Sequence, residues 1–306
     1  MAKLSSPLSQ YSGAPFLSPL RYPGGKRKLA NFFKLIYHYN DLLDGDYVEL
    51  FAGGASVALA LLYEEYVHQI HINDLDRSVY AFWHSILNFP DRFVQLVYDT
   101  PVSIDEWHFQ KNVQSDRDVS LIELGFSTFF LNRTNRSGII SGGVIGGKEQ
   151  AGNWKLDARF SKADLVMRIN KIARYKDRIQ LYNLDASSVI RDLLPKLKLR
   201  SLVYLDPPYY VKGGQLLYSS YYKPGDHAEV AELVSTINQK WIVSYDNVPE
   251  IQDLYSHYRS IDYSIHYSAQ DRYQGAEIMF FSPDLVVPEV SNPARLKRQQ
   301  LQRYLV

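Results

Sequence analysis

Short apolar runs that end in polar residues recur along this chain and alternate with helical stretches. In the clearest run, residues 202–205 are apolar on both faces, and Asp206-Pro207-Pro208-Tyr209 follows directly. Such a run is typical of a buried parallel strand. The two prolines remove backbone donors and fix φ, so the strand must end in a rigid turn. Ligands bind at the carboxyl ends of strands in open α/β sheets, although a plain strand-ending turn favours the same residues.

The same pattern predicts the other elements of an α/β fold with a mainly parallel sheet. Further strands are predicted at 47–51, 68–74, 179–185 and 241–247, and a final antiparallel pair at 258–267 and 277–281. Helices are predicted at 27–39, 57–62, 76–88, 118–131, 161–175 and 226–238.

Residues 91–178 interrupt this alternation. Two Ile/Val pairs that flank Gly142-Gly143 fit a β-hairpin between the predicted helices. From Arg133 to Arg178, eleven Lys or Arg stand against four Asp or Glu, which predicts a phosphate-binding surface rather than a merely solvated face. The chain is therefore divided into a discontinuous core (15–90 and 179–288), the insertion (91–178) and a basic tail (289–306).

The composition and net charge of the chain exclude several kinds of functional site. The 306 residues carry a formal net charge of only +1, so a nucleic acid would have to be bound by a local patch. There is no cysteine, which excludes disulfides, cysteine zinc sites and a covalent cysteine nucleophile. His68 and His71 point to opposite faces of a strand, so no metal site is predicted. No apolar run is long enough to span a membrane, and a cytoplasmic location is expected by default.

Two further stretches have the character of ligand loops. Gly24-Gly25-Lys26 precedes a predicted helix, either as a cofactor loop or as a plain junction with a solvated lysine. Residues 51–56 form a glycine-rich turn between a strand and a helix, although the spacing is not that of a dinucleotide fingerprint. Asp74 ends the next strand, where an acid commonly accepts hydrogen bonds from ribose hydroxyls.

Three motifs in this order resemble those of the Dam-like DNA adenine N6-methyltransferases of the α group. They are residues 20–26, residues 51–56 and Asp206-Pro207-Pro208-Tyr209, and the match extends from Phe16 to about Pro283. The resemblance implies a Rossmann-like methyltransferase sheet, with the insertion as a target-recognition domain. It also implies S-adenosylmethionine as methyl donor, S-adenosylhomocysteine as product, no metal, and double-stranded DNA as substrate.

The resemblance also implies roles for individual residues. Tyr22 and Lys26 match the family's N-terminal cofactor contacts, although the family often has Trp and Ala where this chain has Tyr22 and Pro23. The implied cofactor-binding residues are completed by Phe51, Ala52, Gly53, Gly54, Asp74 (ribose), Asp185 (adenine) and Asp206; the implied catalytic loop is Asp206, Pro207, Pro208 and Tyr209.

The chemistry of an exocyclic amine explains these residue types. Its lone pair is delocalised into the ring, so the carboxylate of Asp206 and the carbonyl of Pro207 are expected to accept its two N–H groups and concentrate the lone pair. Tyr209 is expected to stack on an adenine flipped out of the duplex. Methylation at carbon 5 of cytosine needs a thiolate that this chain lacks. An acid at the first motif position is associated with adenine within the family.

The DNA contacts predicted in the insertion are Asn132, Arg133, Asn135 and Arg136. Helix capping is the alternative for Asn132, and a turn is the alternative for Asn135. A restriction endonuclease that acts on the same site without direct binding is a candidate partner, and a monomer or weak dimer is expected. The basic tail is either a surface helix or a second DNA contact. The competing functions are an RNA or protein amino-group methyltransferase and an inactive DNA-binding module.

Overall fold

The computed structural model describes residues 17–21, 26–211, 222–266, 274–301 and 304. Seven strands within these residues form one sheet, in the order β3-β2-β1-β4-β5-β7-β6. The strands are β1 (Gly45–Glu49), β2 (Val67–Asn73), β3 (Ile179–Tyr182), β4 (Ser201–Leu205), β5 (Lys240–Asp246), β6 (Ser260–His266) and β7 (Gln274–Phe281). The first five are parallel, whereas β7 runs antiparallel to both β5 and β6, which confirms the predicted α/β sheet with its antiparallel C-terminal pair.

Helices cover the sheet and form the insertion. The α-helices of the described residues are α1 (Ala30–Tyr39), α2 (Ser56–Tyr63), α3 (Arg77–Asn88), α4 (Pro90–Asp99), α5 (Ile104–Ser115), α6 (Leu121–Thr134), α7 (Lys162–Arg174), α8 (Ala186–Ser188), α9 (Pro224–Val234), α10 (Pro249–Leu254) and α11 (Arg298–Leu301). Helical turns of other types cover Lys26–Leu29, Arg136–Gly138, Leu156–Arg159, Lys176–Arg178, Val189–Leu193, Leu194–Lys196 and Pro293–Arg295.

The central strand β4 is apolar on both faces because helices cover the sheet on both sides. All five of its residues are buried. Leu202 and Tyr204 belong to one hydrophobic core, whereas Val203 and Leu205 belong to a second core on the opposite face. This alternation explains the continuous apolar run in the sequence, and it fixes where Asp206 leaves the sheet.

The insertion extends the first of these cores. Phe82 of α3 stacks on Phe129 of α6 with ring centroids 6.2 Å apart, and Phe93 of α4 packs edge-on against both rings. These residues belong to the same buried cluster as Ile70 of β2. Helix α3 therefore packs against β3, and α4, α6 and α7 of the insertion pack against α3.

The β-hairpin predicted around Gly142-Gly143 is wrong. The stretch forms turns, with a single isolated antiparallel bridge between Asn135 and Val144. The side-chain amide of Asn135 donates to the carbonyl oxygens of Ile139 and Ile140, each at 2.9 Å. Those carbonyls are therefore not available for a strand ladder.

The tail from Asn292 packs on the core of the fold. Leu296 and Leu301 are buried with Leu35 of α1, and the side-chain amide of Asn31 donates to the carbonyl of Leu296 at 2.8 Å. The described part of the tail is thus a surface segment seated on α1. In the described ranges, no helix combines the length and apolar character that crossing a membrane requires.

Candidate active site

A cavity of about 520 Å³ lies at the carboxyl ends of the parallel strands. Its walls come from the turn after β1, the ends of β2 and β4, and the insertion. The lining residues that carry polar or loop chemistry are Lys26, Glu49, Phe51, Ala52, Gly54, Asn73, Asp74, Lys111, Asn132, Asp206 and Pro208. Its position is the one where open α/β sheets bind ligands.

The glycine-rich turn forms one wall. Gly53 has a φ of +46°, a conformation that favours glycine, and Ala55 adopts a φ of +47° just before α2 begins. The indole N–H of the buried Trp83 donates to the carbonyl of Gly53 at 2.9 Å. The Ala52 N–H donates to the carbonyl of Asn73 at 2.9 Å. The turn is therefore fixed against both β2 and α3.

Asp74 is held against this turn. Its Oδ2 accepts from the N–H of Gly53 at 2.8 Å, and its Oδ1 accepts from the N–H of Asp76 at 3.0 Å. Burial raises the pKa of the Asp74 carboxyl to about 7, and the nearby Asp76 adds to that increase. Asp74 therefore changes charge near neutral pH while lining the cavity.

Asn73 joins three strand ends, a role that the sequence did not predict. Its amide donates to the carbonyls of Leu50 and Leu184, both at 3.0 Å, and its Oδ1 accepts from the N–H of Leu184 at 2.9 Å. An asparagine directly before the predicted acid was the only signal in the sequence.

Asp206 lies at the opposite wall and is paired with Lys26. The Lys26 Nζ lies 3.0 Å from the Asp206 Oδ1, and the hydroxyl of Ser244 on β5 donates to the same oxygen at 2.8 Å. Burial raises the pKa of Asp206, as does Glu277, and the charge of Lys26 acts against them. Burial alone would lower the pKa of Lys26, but Asp206 and Glu277 leave it above its usual value. Lys26 is thus an ion-pair partner of the predicted catalytic acid.

A second carboxylate, Glu277 of β7, stands behind this pair. Its side chain is 1% exposed and accepts hydrogen bonds from the hydroxyls of Tyr209 and Tyr263. The Lys26 Nζ lies 3.4 Å from it. Sequence reasoning placed Glu277 only at the start of a strand, because no local pattern marks a contact made across the sheet.

Glu49, at the end of β1, supplies a test of whether a cationic ligand fits. Its Oε2 is buried without a hydrogen-bond partner among the described residues, and the side chain lines the cavity. Burial raises the pKa of Glu49, with a further contribution from Asp206. A buried carboxyl oxygen without a partner at the cavity wall fits a ligand that brings a hydrogen-bond donor or a positive charge to it.

The other predicted cofactor residues are placed differently. The ring of Phe51 is half-buried and meets Tyr222 edge-on at 5.8 Å. Asp185 is exposed, and its Oδ1 accepts from the N–H of Ser187 at 2.8 Å to cap α8. Its neighbours Leu184 and Ala186 line the cavity. Tyr22 lies outside the described residues.

Three of the four predicted DNA contacts are buried, and this corrects their assignment. Asn132 is 2% exposed, Arg133 8% and Asn135 0%. Asn132 binds both the N–H and the carbonyl of Arg21 at 2.7 Å. These side chains satisfy backbone groups of the insertion and of the segment before Lys26, so they are positioned to hold the loops together rather than to meet a phosphate.

The backbone contacts of Arg133 and Asn135 complete this correction. The Arg133 Nε donates to the carbonyl of Arg159 at 2.8 Å, and burial lowers the pKa of its guanidinium to about 9, with Arg168 adding to the decrease. The Asn135 Oδ1 accepts from the indole N–H of Trp107 at 2.6 Å. Arg136, by contrast, is exposed.

A model of a known protein family matches most of this sequence. The model of the D12 class N6 adenine-specific DNA methyltransferases matches residues 22–272. No curated protein matches the sequence.

Solved structures show similarity at low sequence identity. A candidate RNA methyltransferase from Pyrococcus horikoshii is 11% identical with a TM-score of 0.40, over 90% of this chain and 91% of the other. A conserved hypothetical protein from Streptococcus pyogenes is 10% identical with a TM-score of 0.31, over 79% and 88% of the two chains. A candidate methyltransferase from Escherichia coli is 10% identical with a TM-score of 0.32, over 82% and 85%.

Proposed function

The chain belongs to the D12 class N6 adenine-specific DNA methyltransferases, and we propose how its own residues carry out methyl transfer to a flipped adenine in duplex DNA. The proposal depends on one observation above all. Asp206 ends the central strand at the cavity wall, where Lys26 and Ser244 both contact its Oδ1. A carboxylate fixed in this way is prepared to accept hydrogen bonds from an amine.

The opposite wall of the cavity is suited to the methyl donor. S-adenosylmethionine, whose use the family implies, supplies a methyl group on a sulfonium cation. Glu49 offers an unsatisfied carboxylate oxygen to positive charge, and Asp74 offers a carboxylate to the hydroxyls of a ribose. The fixed turn at Gly53 and Gly54 allows the cofactor to approach the backbone closely.

Residues of the loop from Asp206 to Tyr209 are proposed to bind the adenine. The Asp206 carboxylate and the Pro207 carbonyl accept the two N–H groups of the exocyclic amine, which concentrates the nitrogen lone pair for attack. The bound donor would supply the methyl group and leave as a neutral thioether, and the amine nitrogen held by Asp206 and Pro207 would become positively charged on accepting it. One of its protons then leaves through Asp206 to solvent. Tyr209 stacks on the flipped base and offsets an unstacking cost of roughly a few kcal/mol.

The insertion is proposed as the target-recognition domain. Its net positive charge between Arg133 and Arg178 supports binding to the phosphate backbone, and Arg136 is the exposed residue among Asn132, Arg133, Asn135 and Arg136. A methylated adenine would block a restriction endonuclease that reads the same sequence, and such an enzyme is the counterpart we expect in a cytoplasmic restriction–modification pair.

The test is direct. Purified protein is incubated with methyl-labelled S-adenosylmethionine and, in parallel, with duplex DNA, structured RNA or protein, and the labelled nucleoside is identified by mass spectrometry. We expect N6-methyladenine in DNA. Label that enters only RNA or protein would contradict the proposal, and DNA binding without transfer would support an inactive module. Modification-sensitive sequencing of a host that expresses the protein would then give the recognition sequence.

A further inference from the structure

Two acids on adjacent strands hold the loop that follows Asp206. The register of β5 against β7 places Asp246 beside Glu277, and the register of β6 against β7 places Tyr263 beside the same glutamate. Asp246 accepts from the N–H groups of Tyr210 and Val211, at 2.9 and 3.0 Å. One acid therefore fixes the backbone after Tyr209, and the other receives the hydroxyl of Tyr209 itself.

Glu277 also connects the two ends of that loop through Lys26. The Lys26 Nζ lies between Asp206 and Glu277, at 3.0 and 3.4 Å, and it also donates to the hydroxyl of Tyr209. Lys26, Glu277 and Tyr209 thus contact one another in a closed ring, and Asp206 joins this cluster through Lys26. The first and last residues of the predicted catalytic loop are joined through side chains from outside it.

The charge within this four-residue cluster is not balanced. Lys26 carries one positive charge against the two carboxylates of Asp206 and Glu277, and both Lys26 and Glu277 are almost fully buried. Burying a carboxylate is costly unless it is hydrogen-bonded. The hydroxyls of Tyr209 and Tyr263 supply those hydrogen bonds, so the position of the Tyr209 ring is tied to the charge on Glu277.

We infer that Glu277 is a positioning residue for methyl transfer, which orients the ring of Tyr209 through its hydroxyl and shares Lys26 with Asp206. Glu277 acts through these neighbours and does not itself contact adenine. The inference rests on the proposed function, since it assigns a task to the same loop. Its consequence is that the hydroxyl of Tyr209 matters as well as the ring, because the hydroxyl is the group that Glu277 holds.

Two substitutions test the charge of Glu277 and the length of its side chain separately. Glu277→Gln keeps the shape and removes the charge, whereas Glu277→Asp keeps the charge and withdraws the carboxylate by one methylene. We expect both to lower kcat by about 10- to 100-fold, because small misplacements of reacting groups have effects of that size. The KM for duplex DNA should stay within about threefold. Asp262→Asn, an exposed acid on β6, is the matched control and should behave as the wild type.

The pH profile distinguishes positioning from a merely structural role. The negative charge of Glu277 raises the pKa of Asp206. Glu277→Gln should therefore move the acid limb of the kcat profile to lower pH, whereas Glu277→Asp should leave it nearer the wild-type position. A lower melting temperature with an unmoved acid limb and an unchanged kcat per folded molecule would overturn the inference.

Tyr209→Phe tests the same idea without relying on a change at the buried glutamate. The phenyl ring can still stack, but it cannot donate to Glu277, so kcat should fall while the KM for DNA is retained. Full activity of Tyr209→Phe would overturn the inference by itself. Wild-type protein in the same assay keeps the two proposals apart. No transfer to adenine by the wild type contradicts the proposed function, whereas a wild type and variants of equal activity contradict only the role of Glu277.

Discussion

The Nζ of Lys26 lies 3.0 Å from the Oδ1 of Asp206, so the acid expected to bind the adenine amine is already paired with a buried cation. This contact gives Lys26 a second role beside the cofactor contact that the family resemblance implies. It also determines which oxygen of Asp206 the amine is expected to meet, since Ser244 donates to the same Oδ1. We therefore expect the amine to meet the Asp206 Oδ2, since Lys26 and Ser244 both contact Oδ1.

Asp206→Ala should abolish methyl transfer, with a loss in kcat of about 1,000-fold, because the main acceptor for the amine is removed. Binding to duplex DNA should be largely retained, since the loop belongs to the sheet and not to the insertion. Labelled transfer and fluorescence anisotropy measure the two properties on the same preparation. Asp253→Asn, an exposed acid on α10, is the control. Substantial turnover by Asp206→Ala would show that the amine is activated elsewhere.

Lys26→Met should move the acid limb of the kcat profile to higher pH. The positive charge of Lys26 lowers the pKa of Asp206 against the effect of burial, so its removal lets that pKa rise. Less carboxylate is then ionised at a given acidic pH, and activity is lost earlier as the pH falls. Lys28→Met, at an exposed position two residues along, should leave the profile unchanged. An acid limb that moves the opposite way would exclude Asp206 as the group being titrated.

Asp74→Asn should change how stability depends on pH and also weaken cofactor binding. The folded-state pKa of Asp74 is about 7, above its usual value of 3.8, so this group's contribution to stability is lost as the pH rises towards and through 7. Between pH 6 and 8 the wild type should lose about 1 kcal/mol of unfolding free energy through this group alone. Asp74→Asn should lack this pH-dependent part of the unfolding free energy. It should also bind S-adenosylhomocysteine less tightly than the wild type does.

Denaturant unfolding at several pH values, together with calorimetric titration of the product, measures both effects of Asp74→Asn. The exposed acid in Asp99→Asn is the control, and this substitution should leave the pH dependence unchanged. A variant whose stability follows the wild-type curve over this range would show that Asp74 does not titrate there.

Arg136→Ala and Asn132→Ala should separate DNA binding from structural support within the insertion. Arg136→Ala should weaken DNA binding and reduce the slope of log K against log salt by about 1, the effect of losing one phosphate contact. Asn132→Ala leaves backbone groups of Arg21 and Gly138 unpaired, so it should cost about 2–4 kcal/mol of stability. Arg117→Ala controls for loss of an exposed charge outside the basic segment.

For this pair, anisotropy titrations over a range of salt concentrations and thermal unfolding supply the two measurements. An unchanged salt slope for Arg136→Ala would remove it from the phosphate contacts. An undiminished melting temperature for Asn132→Ala would contradict the structural role that its burial assigns.

Much of the fold could be predicted because each strand of the sheet leaves a local signature. The run at 202–205 is apolar on both faces, and β4 is buried on both faces. Helices α4 and α5 are absent from the predicted elements. A proline such as Pro90 usually marks the end of a helix, whereas here it is the first residue of α4, where a missing backbone N–H has no cost.

The site was less predictable because its key contacts span the whole chain. Lys26 and Glu277 are 251 positions apart, and no short motif connects them. Burial was the other unknown. Asn132 and Arg133 have the composition of DNA contacts, but they end α6, which packs against α3 and α5, so their polar groups meet the backbone of neighbouring loops.

The phenylalanines that connect the insertion to α3 limit how this proposed target-recognition domain can be exchanged between enzymes of this kind. Phe82, Phe93 and Phe129 belong to one core together with residues of β2. A graft cut at the ends of the insertion would expose this aromatic cluster and leave cavities beneath the strands that present the site. Exchange of entire helices of the insertion should therefore require the matching half of the core from the same donor.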